Sequence, residues 1–312
     1  MNIALIRQAA QRISPYAHRT PVLTSRFLDD HSGGSIYFKC ENLQKVGAFK
    51  FRGACNAVFS LSEAEAQRGV TTHSSGNHGQ AVALAAKLRG VDATVVMPRT
   101  ASSIKRKAVE GYGATIIDCD PTQESRESTA AAVIDQTGAV LIHPFDDDRV
   151  IAGQGTAALE LIEDAGPLDM VMAPVGGGGL LGGTATTTSA LCPNARVIGT
   201  EPEGADDAYR SLQAGKMIPS VNPVTLADGL LTSLGDRTFP IIQRYVSAIV
   251  TVGEVAIVEA MRTVWQRMKI IIEPSAAVPV AALLEGKVNA SGQRVGVVLS
   301  GGNVDLDHLP WQ

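Results

Sequence analysis

Met170-Val171-Met172-Ala173-Pro174-Val175-Gly176-Gly177-Gly178-Gly179-Leu180-Leu181-Gly182-Gly183 is the stretch that decides the fold class of this chain. An apolar run enters four glycines and leaves as a second apolar segment of helical length, the order of a buried strand, a tight turn and a helix N-terminus. Bare backbone N–H groups at such a turn, together with the positive helix end, make an anion cradle, usually for phosphate. Gly177, Gly179 and Gly182 also satisfy G-x-G-x-x-G, and Glu201 follows Gly182 by 19 residues. That spacing imitates a dinucleotide fingerprint with an acidic residue on the ribose. The fingerprint normally sits on the first βα unit, however, and here it lies past the middle of the chain. Tight helix–strand packing without a ligand is the plain structural alternative.

Outward from this unit the same alternation continues. Strands are expected at Ile36–Cys40, Ala93–Met97, Ala114–Ile117, Val140–His143, Met170–Val175, Val197–Thr200 and Val295–Leu299. Helices are expected at Gly79–Arg89, Ser102–Gly111, Ser125–Thr137, Ala152–Ala165 and Leu180–Leu191. Strand–helix alternation predicts an α/β protein with open, mostly parallel twisted sheets covered by helices on both faces. Cap signals stand at Thr20-Pro21, at Ser62 with Glu65, and at Glu273-Pro274-Ser275. At 312 residues the chain exceeds one ordinary core. With no linker or repeat visible, two domains are expected, one inserted in the other: residues 69–146 as a small unit, residues 1–68 and 147–312 as the large one.

Composition narrows the function classes. Aromatics are 4% while glycines number 31, so the core is aliphatic and backbones approach one another or a ligand closely. A formal net charge of −4 supplies no general field for nucleic acid or acidic membranes. Cys40, Cys55, Cys119 and Cys192 are scattered without a CxxC, which suits a reduced cytoplasm. The opening MNIALIRQAAQRI is amphipathic, carries Arg7 and Arg12, and lacks the features of a signal peptide. A soluble cytoplasmic protein is expected.

Two further segments carry chemistry. In Asn42-Leu43-Gln44-Lys45-Val46-Gly47-Ala48-Phe49-Lys50-Phe51-Arg52-Gly53-Ala54, Lys50 lies between two phenylalanines. Desolvation there would lower its pKa and free the amine as nucleophile or base; the bland reading is a lysine stem lying over apolar surface. Thr72-His73-Ser74-Ser75-Gly76-Asn77-His78-Gly79-Gln80 joins an apolar run to a helix and can form an anion-binding nest. His73 and His78, five apart, are poorly spaced for a metal on one helical face. No GxSxG elbow exists for a hydrolase, and Ser102-x-x-Lys105 is a chance match to a lactamase pattern.

Taken together, GAFKFRGA, HSSGNHGQ, VGGGGLLGG, EPEGADD and LSGGN, in this order, resemble the pyridoxal-phosphate enzymes of fold type II, the tryptophan-synthase β-like family. Within it they are most similar to the serine racemase, threonine dehydratase and threo-3-hydroxyaspartate dehydratase branch. The resemblance runs from Thr20-Pro21 to Asn303. It implies that Lys50 holds pyridoxal 5'-phosphate as a Schiff base and moves the α-proton, that Phe49 packs on the cofactor ring and that Asn77 bonds its 3′-oxygen. Gly176, Gly177, Gly178 and Gly179 would bind the phosphate, and Ser300 would face the pyridine nitrogen. Ser74, Ser75, Asn77 and His78 would bind the substrate, with Ser75 also the acid–base group on the face opposite Lys50, as in the racemases. Glu201, Ala205 and Asp207 would hold Mg²⁺ or Ca²⁺ through oxygen ligands. Arg126 and Ser233 match positions near the substrate side chain, where an arginine would suit a second carboxylate. No regulatory domain is expected after Gln312, and a homodimer is.

The leading expectation is therefore a dehydratase that converts a small β-hydroxy amino acid (serine, threonine or 3-hydroxyaspartate) to a 2-oxo acid and ammonia. Racemisation of serine or aspartate by Lys50 and Ser75 is the second reading. Dehydration in the breakdown of a specialised compound such as hydroxyectoine is a variant of the first. A dinucleotide-dependent oxidoreductase and a catalytically silent binding protein stand for other classes.

Overall fold

The computed structural model describes residues 1–312 apart from Ser75 and Ser102, with Ile104 described through its backbone only. Ten strands among the described residues form two sheets: β1 Val22–Leu23, β2 Ser35–Cys40, β3 Val70–His73, β4 Ala93–Pro98, β5 Thr115–Cys119, β6 Val140–Leu141, β7 Met170–Pro174, β8 Arg196–Pro202, β9 Ala248–Val252 and β10 Arg294–Leu299. The larger sheet runs β1-β2-β10-β7-β8-β9 and the smaller β5-β4-β3-β6. All pairings are parallel except β1 with β2, as expected for strands joined through helices. The two-sheet α/β architecture of fold type II is thus present.

Helices cover both sheets. Helix Pro274–Leu284, rich in alanine and valine, is buried with β10, β7 and helix Glu254–Met268 in one aliphatic core. A second core joins helices Lys50–Phe59 and Asn77–Arg89 to the smaller sheet. Between them lie three closely packed helices, Lys50–Phe59, Asp148–Ala165 and Gly179–Leu191. A Cβ on Gly153 would fall 2.6 Å from Arg52 O, and one on Gly183 would fall 2.5 Å from Gly155 N. Only glycine lets these backbones meet, which accounts for part of the glycine-rich, aromatic-poor composition.

Arg52, fully buried in the first of these helices, is matched by charge on every side. Its guanidinium donates to Glu41 Oε2 at 2.7 Å and Glu160 Oε1 at 2.8 Å, and Lys39 Nζ pairs with Glu160 Oε2 at 2.7 Å. Two cations and two anions close a neutral network, the condition under which charge is tolerated in a core. Thr20 belongs to it: its hydroxyl donates to Glu41 Oε1 at 2.6 Å. Thr20-Pro21 therefore leads into β1 and not into a helix, a correction to the expected cap. The Ser62–Glu65 capping box is present, over a single helical turn. The strand expected over 140–143 stops at Leu141, because the His143 side chain organises a turn directly after it.

Candidate active site

Lys50, Asn77, the glycine loop and Ser300 are separated by up to 250 residues, and the register of the sheets collects them. Leu299 of β10 pairs with Cys40 of β2, so both strands end at one level. Beyond them Ala48 bridges Gly301, and Phe49 N–H donates to Ser300 O at 3.0 Å. That short antiparallel contact delivers Lys50 and Ser300 to the same cavity. The β7 end contributes Gly176–Gly179 and the β3 end contributes Ser74, Gly76 and Asn77. A cavity of about 210 Å³ is lined by all of these, with Phe49, His78, Arg126, Phe145, Glu273 and Asn303. It lies at the carboxyl ends of parallel strands, where α/β sheets bind ligands.

Lys50 Nζ donates to Pro144 O at 2.8 Å and lies 5.2 Å from the Phe49 ring centre. Desolvation lowers its pKa to about 8 against the opposing pull of Glu273, so the amine gives up its proton more readily than that of an exposed lysine. The glycine loop lines the same cavity as this amine and opens the 13-residue helix Gly179–Leu191. A Cβ on Gly177 would sit 2.2 Å from the Phe145 ring, and Gly178 has φ +87°. Backbone N–H groups at a helix N-terminus in a glycine cradle fit a phosphate.

Asn77 begins helix Asn77–Arg89. Its Nδ2 donates to Glu273 Oε1 at 3.1 Å and Oε2 at 3.2 Å, and its Oδ1 accepts from Asn303 Nδ2 at 2.8 Å. Glu273 also accepts from Asn303 N–H at 3.1 Å. Burial, aided by Asp228, raises its pKa to about 7. Sequence reading takes Glu273 only as a helix cap. It does stand at the N-cap of helix Pro274–Leu284, but its side chain makes no capping bond there and reaches Asn77. Sequence reading also misses Pro144 and Phe145, since nothing in His143-Pro144-Phe145 stands out before the turn folds against Lys50. Lys105, part of the chance lactamase match, lines the cavity and pairs with Asp228 Oδ2 at 2.6 Å.

The remaining expected residues divide. Arg126, on helix Gln123–Thr137, lines the cavity, and its Nε is buried without a hydrogen-bond partner among the described residues. His78 Nε2 lies 3.0 Å from Ile142 O, and burial first, then Lys50, holds its pKa well below the usual histidine value. Its proton therefore sits on Nε2, and the bond braces the strand end. Ser233 Oγ accepts from Ser220 N–H at 2.8 Å, and Thr232, not Ser233, lines the cavity. Ser75 lies outside the described residues.

Glu201 and Asp207 lie apart from this cavity. Glu201 accepts from the N–H groups of Ala208 at 3.0 Å and Tyr209 at 2.7 Å, so its carboxylate caps a helix and is not offered to a ribose. Gly182, the third glycine of the dinucleotide spacing, has room for a Cβ, 3.6 Å from its nearest neighbour. Both facts remove the structural basis of the dinucleotide reading. Asp207 is buried, and backbone N–H groups, that of Leu234 among them, act on its carboxylate. Burial raises Glu201 to about 8 and Asp207 to about 6. No three His, Cys, Asp or Glu side chains among the described residues form a metal-sized group, so the divalent-cation expectation gains no support from a ligand cluster. No helix among the described residues is long and apolar enough to cross a membrane.

Comparison with known proteins agrees with this geometry. The chain is 52% identical over 303 residues to the beta-hydroxyaspartate dehydratase of Paracoccus denitrificans, covering 97% of this chain and 96% of the relative. The crystal structure of serine racemase from Dictyostelium discoideum superposes with a TM-score of 0.94 at 52% identity, covering 98% of this chain and 99% of that one. The crystal structure of the T.th. threonine deaminase gives a TM-score of 0.92 at 47% identity, with the same coverage. Residues 13–301 match the family described as pyridoxal-phosphate dependent enzyme. A lysine amine and a glycine phosphate cradle lining one cavity, set in that match, make this chain a member of the pyridoxal-phosphate-dependent enzymes of fold type II, in the dehydratase and racemase branch.

Proposed function

We propose that the protein is an ammonia-lyase that removes water from 3-hydroxyaspartate, with serine and threonine as poorer substrates. Pyridoxal phosphate, when bound, withdraws electron density from the substrate α-carbon and acidifies its proton. Lys50, with its depressed pKa, takes that proton. Backbone N–H groups of Gly176–Gly179 hold the phosphate, Phe49 packs on the ring, and Ser300 supplies a neutral hydroxyl at the pyridine side. Ser74 and Asn77 hold the substrate α-carboxylate. The observation that carries the substrate choice is Arg126: its buried, unpartnered Nε at the cavity wall suits a second carboxylate, and leaving a charged donor unpaired is costly. Similarity to a beta-hydroxyaspartate dehydratase supports the same choice. A substrate panel scored by 2-oxo acid formation tests it; higher kcat/KM for serine than for 3-hydroxyaspartate overturns it.

Racemisation is a second activity of the same site, favoured by 53% identity to a Dictyostelium discoideum serine racemase. It needs a proton carrier on the face opposite Lys50, the role proposed for Ser75. Ser75→Ala should suppress racemisation and D-substrate turnover while sparing L-substrate elimination to within roughly tenfold; equal loss of both would assign Ser75 to binding alone. A Mg²⁺ or Ca²⁺ ion at Glu201, Asp207 and the Ala205 carbonyl is proposed from the resemblance of Glu201-Pro202-Glu203-Gly204-Ala205-Asp206-Asp207 to a cation loop alone. Chelation should then lower the melting temperature, and no chelator effect would leave a plain acidic turn. Residues 1–68 with 147–312 are proposed as the large pyridoxal-phosphate-binding domain and residues 69–146 as the small inserted substrate-binding domain.

A further inference from the structure

The turn that follows β6 touches both halves of the cofactor site. His143 Nδ1 accepts from two successive backbone amides, Asp146 N–H at 2.8 Å and Phe145 N–H at 3.3 Å. Just before those amides lies Pro144, whose carbonyl accepts from Lys50 Nζ at 2.8 Å. The same turn lays Phe145 against Gly177 and Gly179, with its ring 4.7 Å from the His143 ring and nearly perpendicular to it. A nitrogen that accepts two N–H groups cannot carry a proton, so His143 is the neutral tautomer with hydrogen on Nε2. The surroundings agree: burial, His73 and Lys50 lower its pKa to about 4, against the opposing pull of Asp147 and Glu127. The His78 bond to Ile142 O fixes the chain just before the turn.

We infer that the Pro144 carbonyl is the resting acceptor for the Lys50 amine during turnover, and that His143 is the positioning residue that aims this carbonyl through its two amide hydrogen bonds. A released lysine amine must wait within reach of the substrate α-carbon without losing its lone pair to a strong donor. A carbonyl serves, because it takes one N–H and leaves the lone pair open. When the lone pair takes the α-proton, the C–H electron pair stays with the substrate and the new ammonium keeps its bond to Pro144 O. Proline supplies a carbonyl but no competing N–H.

The inference rests on Lys50 as the reacting amine, which Lys50→Ala tests separately. Two variants of His143 divide its two properties. His143→Asn keeps an acceptor oxygen close to the place of Nδ1 but removes the ring. His143→Phe keeps a ring against His73 and Phe145 but removes the acceptor. With holoenzyme and L-serine, His143→Asn should retain kcat to within about threefold, while His143→Phe should lose about tenfold or more. Only the Phe variant should show an enlarged kinetic isotope effect with α-deuterated serine, and only its apoenzyme should reform the visible band with pyridoxal phosphate more slowly. If His143→Phe fails to fold by circular dichroism, His143→Gln, whose oxygen is displaced by one methylene, is measured against His143→Asn with the same expectation. Activity of the Phe or Gln variant equal to or above that of His143→Asn, or an isotope effect unchanged from wild type, would overturn the proposal and reduce the ring to packing.

Discussion

Asn303 Nδ2 donates to Asn77 Oδ1 at 2.8 Å and, from the same nitrogen, to Val46 O at 2.7 Å. One amide thus sets the orientation of the Asn77 side chain and holds Val46, a β-branched residue at φ +56°, in a conformation such residues rarely adopt. Val46 and Gly47 form the bend from which Ala48, Phe49 and Lys50 enter the cavity. The site is therefore held by the chain segment after β10 as much as by the helices that carry its reactive groups.

Lys50→Ala should abolish the visible absorption of bound cofactor and lower turnover by roughly 10³-fold or more, since Lys105, the other lysine lining the cavity, is paired with Asp228. The far-ultraviolet dichroism should be unchanged. Substantial retained activity in a variant free of wild-type enzyme would remove Lys50 from the mechanism.

Arg126→Gln should lower kcat/KM for 3-hydroxyaspartate by about 10- to 100-fold, the worth of one or two charge-assisted hydrogen bonds. Serine has no second carboxylate, so its kcat/KM should stay within about threefold of wild type. Parallel losses on both substrates would assign Arg126 to general packing.

The two glycines of the loop and the following helix are predicted to differ. Gly177→Ala places a methyl group against the Phe145 ring and should weaken pyridoxal phosphate binding by about tenfold or more. Gly182→Ala meets only ordinary contacts and should leave the dissociation constant within about twofold, stabilising its helix slightly. Fluorescence titration of the apoenzyme reads both; a Gly182 variant as impaired as Gly177→Ala would contradict this map of close approach.

Glu273 should make stability depend on pH with a defined sign. Its folded pKa of about 7 lies above the ordinary value of 4.5, so folding takes up a proton between those pH values. The stabilisation is complete below pH 4.5 and is lost as pH rises through 7. The histidines His73, His78 and His143 have lowered pKa values and drive stability the opposite way. The quantity to measure is therefore the apoenzyme difference between wild type and Glu273→Gln. Wild type should lose stability relative to the variant by on the order of 1–3 kcal/mol between about pH 4.5 and 8. A pH-independent difference would mean that Glu273 is ionised throughout.

The strand–glycine–helix unit at 170–183, the alternation around it and the motif order were all legible in the chain, because they depend on local properties: apolar period, backbone freedom and the N–H groups of one turn. The glycine loop could be read as an anion cradle for the same reason, whereas the role of Lys50 followed only from the resemblance of the motif set. What only the tertiary structure decided depends on partners distant in sequence. Glu273 reads locally as a helix cap and becomes a site residue only because Asn77, 196 positions away, points at it. His143 reads as the end of a strand and Pro144 as the residue after it, and their roles appear only once the turn after β6 meets the start of the Lys50 helix. Ser233 carries the right hydroxyl but spends it on Ser220 N–H. Residue type and order specify the chemistry available; which donor meets which acceptor is settled by sheet register and helix packing, since a hydrogen bond is lost over less than an ångström of misplacement.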